Sequence, residues 1–233
     1  RQTANAWWPA RRRHGSIVFD DKMWVIGGEA GAPLYNDVWY STDGTSWTRQ
    51  TTNAWWAARY SQGTLVFQNK MWVFGGCASG ACADYRNDVW YSSNGATWTR
   101  QTTNAWWAGR REIGRGVVVF QDKMWLMGGE IADSTFYNDV WYSSNGATWT
   151  RQTANAWWSG RDTHTSLVYN NKMWVIGGTY YSGGTVIMND VWYSTNGTTW
   201  TQQTANAQWG ARAGHQSLVY NSQMWVIGGG GAV

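Results

Sequence analysis

Charge, cysteine and proline are all scarce in this chain of 233 residues, and each scarcity excludes something. Only 2 prolines accompany 28 glycines, so the chain is not collagen-like. Charged residues make up 14%, with 14 Arg and 4 Lys set against 11 Asp and 3 Glu. No block of like charge marks a disordered tail, and the arginines recur singly rather than as a basic stripe, which argues against nucleic-acid binding. No apolar run approaches the ~18 residues of a membrane-spanning helix, so no membrane insertion is expected. The 2 cysteines, Cys77 and Cys82, share one stretch, CASGAC. They read as loop thiols or, if the protein is secreted, as a local disulfide. With no second Cys or His pair beside them, no metal site is expected. A single N-x-T sequon at Asn196 points to a secreted or cell-surface location. The chain begins at Arg1 without an initiator Met, as a mature chain or a fragment does.

Aromatic residues are abundant instead: 22 Trp, 12 Tyr and 5 Phe. Burying one indole removes roughly 200 Å² from water, a gross gain of ~5 kcal/mol as an upper bound. Most of these rings must lie inside, because so many exposed indoles would drive aggregation.

Self-similarity sets the architecture. The string K-M-W followed by two apolar residues and Gly-Gly begins at Lys22, Lys70, Lys123 and Lys172, and returns as QMWVIGG at Gln223. NDVWYS begins at Asn36, Asn87, Asn138 and Asn189, a spacing of 51 each time. G-x-x-W-T begins at Gly44, Gly95, Gly146 and Gly197. The linker NAWWxxR begins at Asn5, Asn53, Asn104 and Asn155, with NAQWGAR at Asn206. The order never changes.

Each piece predicts a short strand. Strand a covers 16–19, 64–67, 117–120, 166–169 and 217–220, and strand b covers 23–26 and its copies up to the Gly pair. Tight polar turns (DDK, QNK, QDK, NNK, NSQ) join them. Strand c is 38–41 and its copies. A hairpin turn holding Asp43-Gly44, Asn94-Gly95, Asn145-Gly146 or Asn196-Gly197 then leads to strand d, TSWTRQT, because both residues of such dipeptides accept φ > 0. Strands b and c are apolar on consecutive residues and so buried on both faces, while d is polar around one Trp and suits a solvent edge. Such a unit cannot hide its faces alone; set radially, each covers its neighbours, giving a β-propeller.

The Gly pair, the NDVWYS aromatics, the following W-T and the WxxRxxH pattern at 8–14 and 209–215 together resemble the kelch repeat. The resemblance covers essentially the whole chain and implies an all-β propeller of four-stranded antiparallel blades. Units 9–49, 57–100, 108–151 and 159–202 read as complete, and 210–233 supplies strands a and b only. The reading is a single propeller of five blades with the last incomplete; six or seven blades is the alternative. The open edge of the last blade predicts self-association or cover by another chain.

Comparison among the units separates framework from candidate site. The Trp residues of strands b, c and d and the second linker Trp recur in every copy and read as packing. The linker arginines (Arg11, Arg59, Arg110, Arg161, Arg212) and the Asp of NDVW read as structural, a guanidinium fork fixing how blades meet. The first linker Trp (Trp7, Trp55, Trp106, Trp157) gives way to Gln208 in the last copy, so these indoles are candidates for ligand stacking. The b–c connections and the approaches to strand a vary freely and open on one face, as a binding surface does. Arg12, Arg13, Tyr60, Arg111, Tyr180 and Tyr181 lie there and are of types favoured in interaction hot spots. His14, His164 and His215 share one repeat position and read as loop hydrogen-bonding groups.

The leading expectation is therefore a non-enzymatic module with no cofactor, binding a glycan or a protein. A structural, self-assembling propeller is the alternative. A sugar-modifying enzyme or copper oxidase on a kelch-like ring is another, but no unit carries a distinct Tyr, Cys and His set.

Overall fold

A computed structural model describes residues 2–113, 115–131 and 135–231. The chain forms two compact units, Arg1–Gly114 and Arg115–Val233. The described secondary structure is all β.

The first unit holds two antiparallel four-stranded blades. One is β1 (Gly15–Phe19), β2 (Lys22–Glu29), β3 (Leu34–Ser41) and β4 (Thr48–Thr51). The other is β5 (Gly63–Phe67), β6 (Lys70–Phe74), β7 (Val89–Ser92) and β8 (Thr99–Thr102). In the second unit, the third blade begins with β9 (Val117–Phe120) and β10 (Lys123–Met127). A short ribbon follows, β11 (Glu130–Ile131) with β12 (Thr135–Phe136), before β13 (Val140–Ser143) and β14 (Thr150–Thr153) complete the blade. The fourth blade is β15 (Thr165–Tyr169), β16 (Lys172–Tyr181), β17 (Thr185–Ser194) and β18 (Thr201–Thr204). A hairpin of β19 (Gln216–Tyr220) and β20 (Gln223–Ile227) repeats strands a and b. Residues 232 and 233, and 132–134 of the third b–c connection, lie outside the described residues.

The strand order a-b-c-d follows the sequence reading, and three local details refine it. The a–b turns are two-residue turns with both central residues left-handed, Asp20 (φ 52°) and Asp21 (φ 53°) in the first blade and Gln68, Asn69 in the second. Such primed turns match the twist of the strands they join. The c–d connection is not a two-residue hairpin, because only its Gly is left-handed (Gly44, φ 73°). Ser41 Oγ accepts the Gly44 N–H at 2.8 Å, and Asp43 Oδ1 accepts those of Thr45 and Ser46, making a six-residue loop closed by side chains. The turn tryptophans therefore precede strand d instead of lying in it; Trp98 donates from Nε1 to Gly95 O at 3.1 Å. Finally, strand b does not end at the Gly pair in blades one and four. A bulge between Ile26 and Gly28 lets pairing resume at Gly28↔Tyr35, and Gly178↔Met188 repeats this in blade four. A Cβ on Gly28 (φ 101°) would stand 2.8 Å from His14 Cβ, so the position is closed to larger residues.

Packing uses the aromatics in fixed roles. Trp24 Nε1 donates to Phe19 O across the a–b turn, and the same bond forms from Trp72, Trp125, Trp174 and Trp225. The Lys opening strand b lies over the strand-c Tyr, 4.3 Å from Lys70 Nζ to the Tyr91 ring centroid. Linker Trp56 meets turn Trp98 edge-on at 5.9 Å, as Trp158 meets Trp200 at 5.8 Å. One core joins blades one and two through Ile26, Trp56, Met71 and Trp98. Another joins blades three and four through Met127, Trp158, Met173 and Trp200.

Candidate functional site

The linker arginines Arg59 and Arg161 each bind two blades at once. Arg59 gives its backbone N–H to Tyr35 O (3.1 Å), and its own carbonyl accepts from Gly28, both in blade one. Its guanidinium reaches into blade two, donating to Gly75 O at 3.0 Å and to both carboxylate oxygens of Asp88 at 2.6 and 2.8 Å. Arg161 repeats the arrangement between blades three and four, with Asp190 as its carboxylate. Burial alone would push the Asp88 carboxyl up, but hydrogen bonding and charge attraction from Arg59, with the Trp90 indole bond, outweigh it and hold the group below the usual carboxylate range. These ion pairs belong to the framework, as the repeat comparison predicted.

Beyond the arginine, the chain pairs with the b–c connection of its own blade. Isolated antiparallel bridges form at Arg12↔Glu29, Tyr60↔Cys77, Asp162↔Thr179 and Ala213↔Gly230. Within each unit, the approaches to strand a and the b–c loops thus form one continuous edge. The residue after each bridge is left-handed: Arg13 (φ 54°), Ser61 (φ 55°), Thr163 (φ 49°) and Gly214 (φ 64°). In the first unit this edge carries a charge cluster. Buried Glu29 accepts from Arg12 Nε at 3.2 Å and Arg13 Nη1 at 3.0 Å. Arg13 also meets Glu112 at 3.1 Å, and Ser61 Oγ donates to that carboxylate at 2.8 Å.

The candidate residues fare differently. The indoles of Trp7, Trp55 and Trp106 are each 74% exposed and that of Trp157 is 70% exposed. Three of them are held from behind by the Asn of NDVWYS. Asn36 Nδ2 donates to Ala54 O and Trp56 O, the carbonyls flanking Trp55. Asn87 does the same around Trp106 and Asn138 around Trp157, while Asn189 brackets Gln208. The peptide is clamped while the ring stands in water. Arg12 keeps most of its side chain in solvent despite its bond to Glu29; Arg13 is more enclosed and Arg111 half-buried. Tyr181 is exposed and Tyr180 half-buried, both near the tip of the long β16–β17 hairpin. Tyr60, by contrast, is 2% exposed and packs with Cys77 and Cys82, which are joined in a disulfide. Its ring supports the loop from beneath and offers no surface to a ligand.

Two sets escaped the sequence reading. The clamping asparagines recur in all four complete units, yet only the Asp beside them drew notice. The 3 glutamates of the chain, Glu29, Glu112 and Glu130, all fall in this edge and all are buried; their rarity was the available signal.

His164 is fully enclosed, and burial first, then the charge of Arg161, lowers it to about 3. His215 falls to about 4 through burial and Arg115, with Thr165 Oγ1 2.8 Å from its Nε2. Both are neutral packing groups at ordinary pH. Among the described residues no cluster of His, Cys, Asp and Glu has the arrangement of a metal site.

Residues 1–155 match the family model for the KLHDC2/KLHL20/DRC7 Kelch-repeats domain. The comparison with curated proteins finds no match. The match spans well over half of the chain and runs through blades built on the glycine pair, the NDVWYS strand and the turn tryptophan. The chain belongs to the kelch-repeat family of β-propellers.

Proposed function

We propose that this chain is a non-enzymatic recognition module that binds a protein partner through the edges that its b–c loops and d–a linkers form within each unit. Kelch propellers serve broadly as protein-interaction modules, which supports the class of ligand. The observation that carries the finer reading is the set of clamped, exposed indoles at Trp55, Trp106 and Trp157, with Trp7 as the first of the series. An exposed Trp gains nothing for folding and invites aggregation, whereas a pre-oriented one loses little entropy on binding and is the residue type most enriched at hot spots. In the first unit Arg12 adds an exposed cation, and in the second unit Tyr181 adds a second exposed aromatic. The Cys77–Cys82 bond suits an oxidising compartment and supports a secreted or cell-surface setting.

A glycan is the second reading, favoured by the equivalence of the indoles, since repeated weak stacking sites gain by avidity. Panning a random peptide library and probing a glycan array with the wild-type chain and with the Trp55→Ser/Trp106→Ser/Trp157→Ser variant decides between them. Peptide enrichment that disappears with the variant supports the protein reading. Saturable glycan binding that disappears supports the second, and binding by both chains alike sinks both.

A further inference from the structure

A cavity of about 220 Å³ opens in the first unit between blade one and the c–d loop of blade two, at the opposite end of the strands from the b–c loops. One residue of the a–b turn sets it apart. The first turn position is Asp20 in blade one but Gln68, Gln121 and Asn170 in the blades that follow. Asp20 Oδ2 accepts from the Lys22 ammonium at 2.7 Å, and Lys22 Nζ then stands 5.6 Å from the centroid of the Tyr40 ring. Where the turn residue is neutral, the lysine keeps to its tyrosine: 4.3 Å for Lys70, 4.5 Å for Lys123 and 3.9 Å for Lys172. A carboxylate outcompetes an aromatic face for an ammonium, so in blade one the Tyr40 ring is released to line the cavity.

The lining divides into an aromatic wall and a polar rim. Tyr40 and Trp24 form the wall, their rings tilted at 43° with centroids 5.3 Å apart, and Trp24 offers only carbon because its N–H is given to Phe19 O. On the rim, Gln50 Nε2 donates to Asn94 O at 2.9 Å, so its Oε1 remains to accept. Asn94 Oδ1 accepts from the N–H groups of Ala96 and Thr97, so its Nδ2 remains to donate. The Asp20–Lys22 pair sets opposite charges side by side with no net charge. We propose that this cavity is a monosaccharide site, holding one neutral pyranose ring with its C–H face on Tyr40 and its hydroxyls on Asp20, Lys22, Gln50 and Asn94. The face of an aromatic ring is negative and attracts C–H groups. Hydroxyls both donate and accept, and so meet a carboxylate, an ammonium and an amide without parting the ion pair. A charged ligand would have to break that pair to gain its own. The volume lies below the ~300–1,000 Å³ of sites for drug-sized ligands and suits a single ring.

Saturation-transfer NMR on the full chain tests the site, with methyl β-D-glucopyranoside, methyl β-D-galactopyranoside and methyl α-D-mannopyranoside as probes and free lysine as a charged comparison. Binding in so small a cavity is weak and monovalent, which NMR in solution reads and a washed array does not. Saturable transfer to the ring C–H protons of at least one glycoside is expected. Asp20→Gln installs the residue that Gln68 and Gln121 already hold at this left-handed position (φ 48° each), so the turn is kept while Lys22 is freed to return to Tyr40. That variant should bind at least about tenfold more weakly. The Trp55→Ser/Trp106→Ser/Trp157→Ser variant should bind as the wild type does, which separates this site from the recognition edges. No transfer to any glycoside, equal transfer in Asp20→Gln, loss in the tryptophan variant, or transfer to lysine alone would overturn the inference.

Discussion

At the scale of single residues, identical amino acids do opposite work according to what stands behind them. Arg59 and Arg212 occupy the same repeat position, but only Arg59 is buried against a carboxylate. Removing it strands the Asp88 charge, so Arg59→Ala should cost about 3–5 kcal/mol in denaturant unfolding. Arg212→Ala gives up exposed hydrogen bonds and a cation–π contact with Trp209, and should cost about 1 kcal/mol. Neighbouring tryptophans divide in the same way. Trp56→Ala opens the core and should cost about 3–5 kcal/mol. Trp55→Ser should leave stability within about 0.5 kcal/mol, since its ring already stands in water. Equal losses from both would refute the division between framework and surface.

At the scale of elements, strand order, the polar a–b turns and the buried b and c strands were legible in the sequence, because hydrophobic period and turn chemistry act locally. The c–d loop was misread because Asn94-Gly95 resembles a hairpin dipeptide, while the chain uses the Asn side chain as a turn acceptor for the N–H groups of Ala96 and Thr97. That choice depends on Ser92 reaching across the loop, which no dipeptide rule contains. Tyr60 was misjudged for a similar reason: burial by a disulfide loop 17 positions away is a tertiary fact. The a–b turns supply a direct test. Both Gln68 and Asn69 are left-handed, so replacing the pair by Asn-Gly should raise stability by about 1 kcal/mol. An unchanged unfolding midpoint would show that context already relieves the strain. Reducing the Cys77–Cys82 bond opens a short loop and should cost about 2 kcal/mol, read as the difference between denaturation with and without reductant.

At the scale of the whole molecule, acid is the condition that exposes the enclosed histidines of the second unit. Their protonation is depressed in the folded state, to about 3 for His164 and about 4 for His215. Below pH ~6.5 the unfolded chain binds protons that the folded one refuses, so stability should fall from there toward pH 3. Asp88 adds to the loss at the acid end, since its carboxyl is lowered and its stabilisation fades as pH drops through the folded value. Thermal midpoints measured from pH 7.5 to 4.5 should decline, and His164→Asn should flatten the slope. A level profile would mean that water reaches those rings.

The arginine that grips two blades also explains how such a chain could have grown. Toward the preceding blade it uses only main-chain groups, at Gly28 and Tyr35 for Arg59 and at Gly178 and Met188 for Arg212. Its guanidinium asks of the following blade one carbonyl and one Asp, whatever loop lies between them. A copied unit therefore brings its own connector and tolerates any predecessor, so duplication and shuffling at the linker preserve the joint while leaving each loop free to diverge.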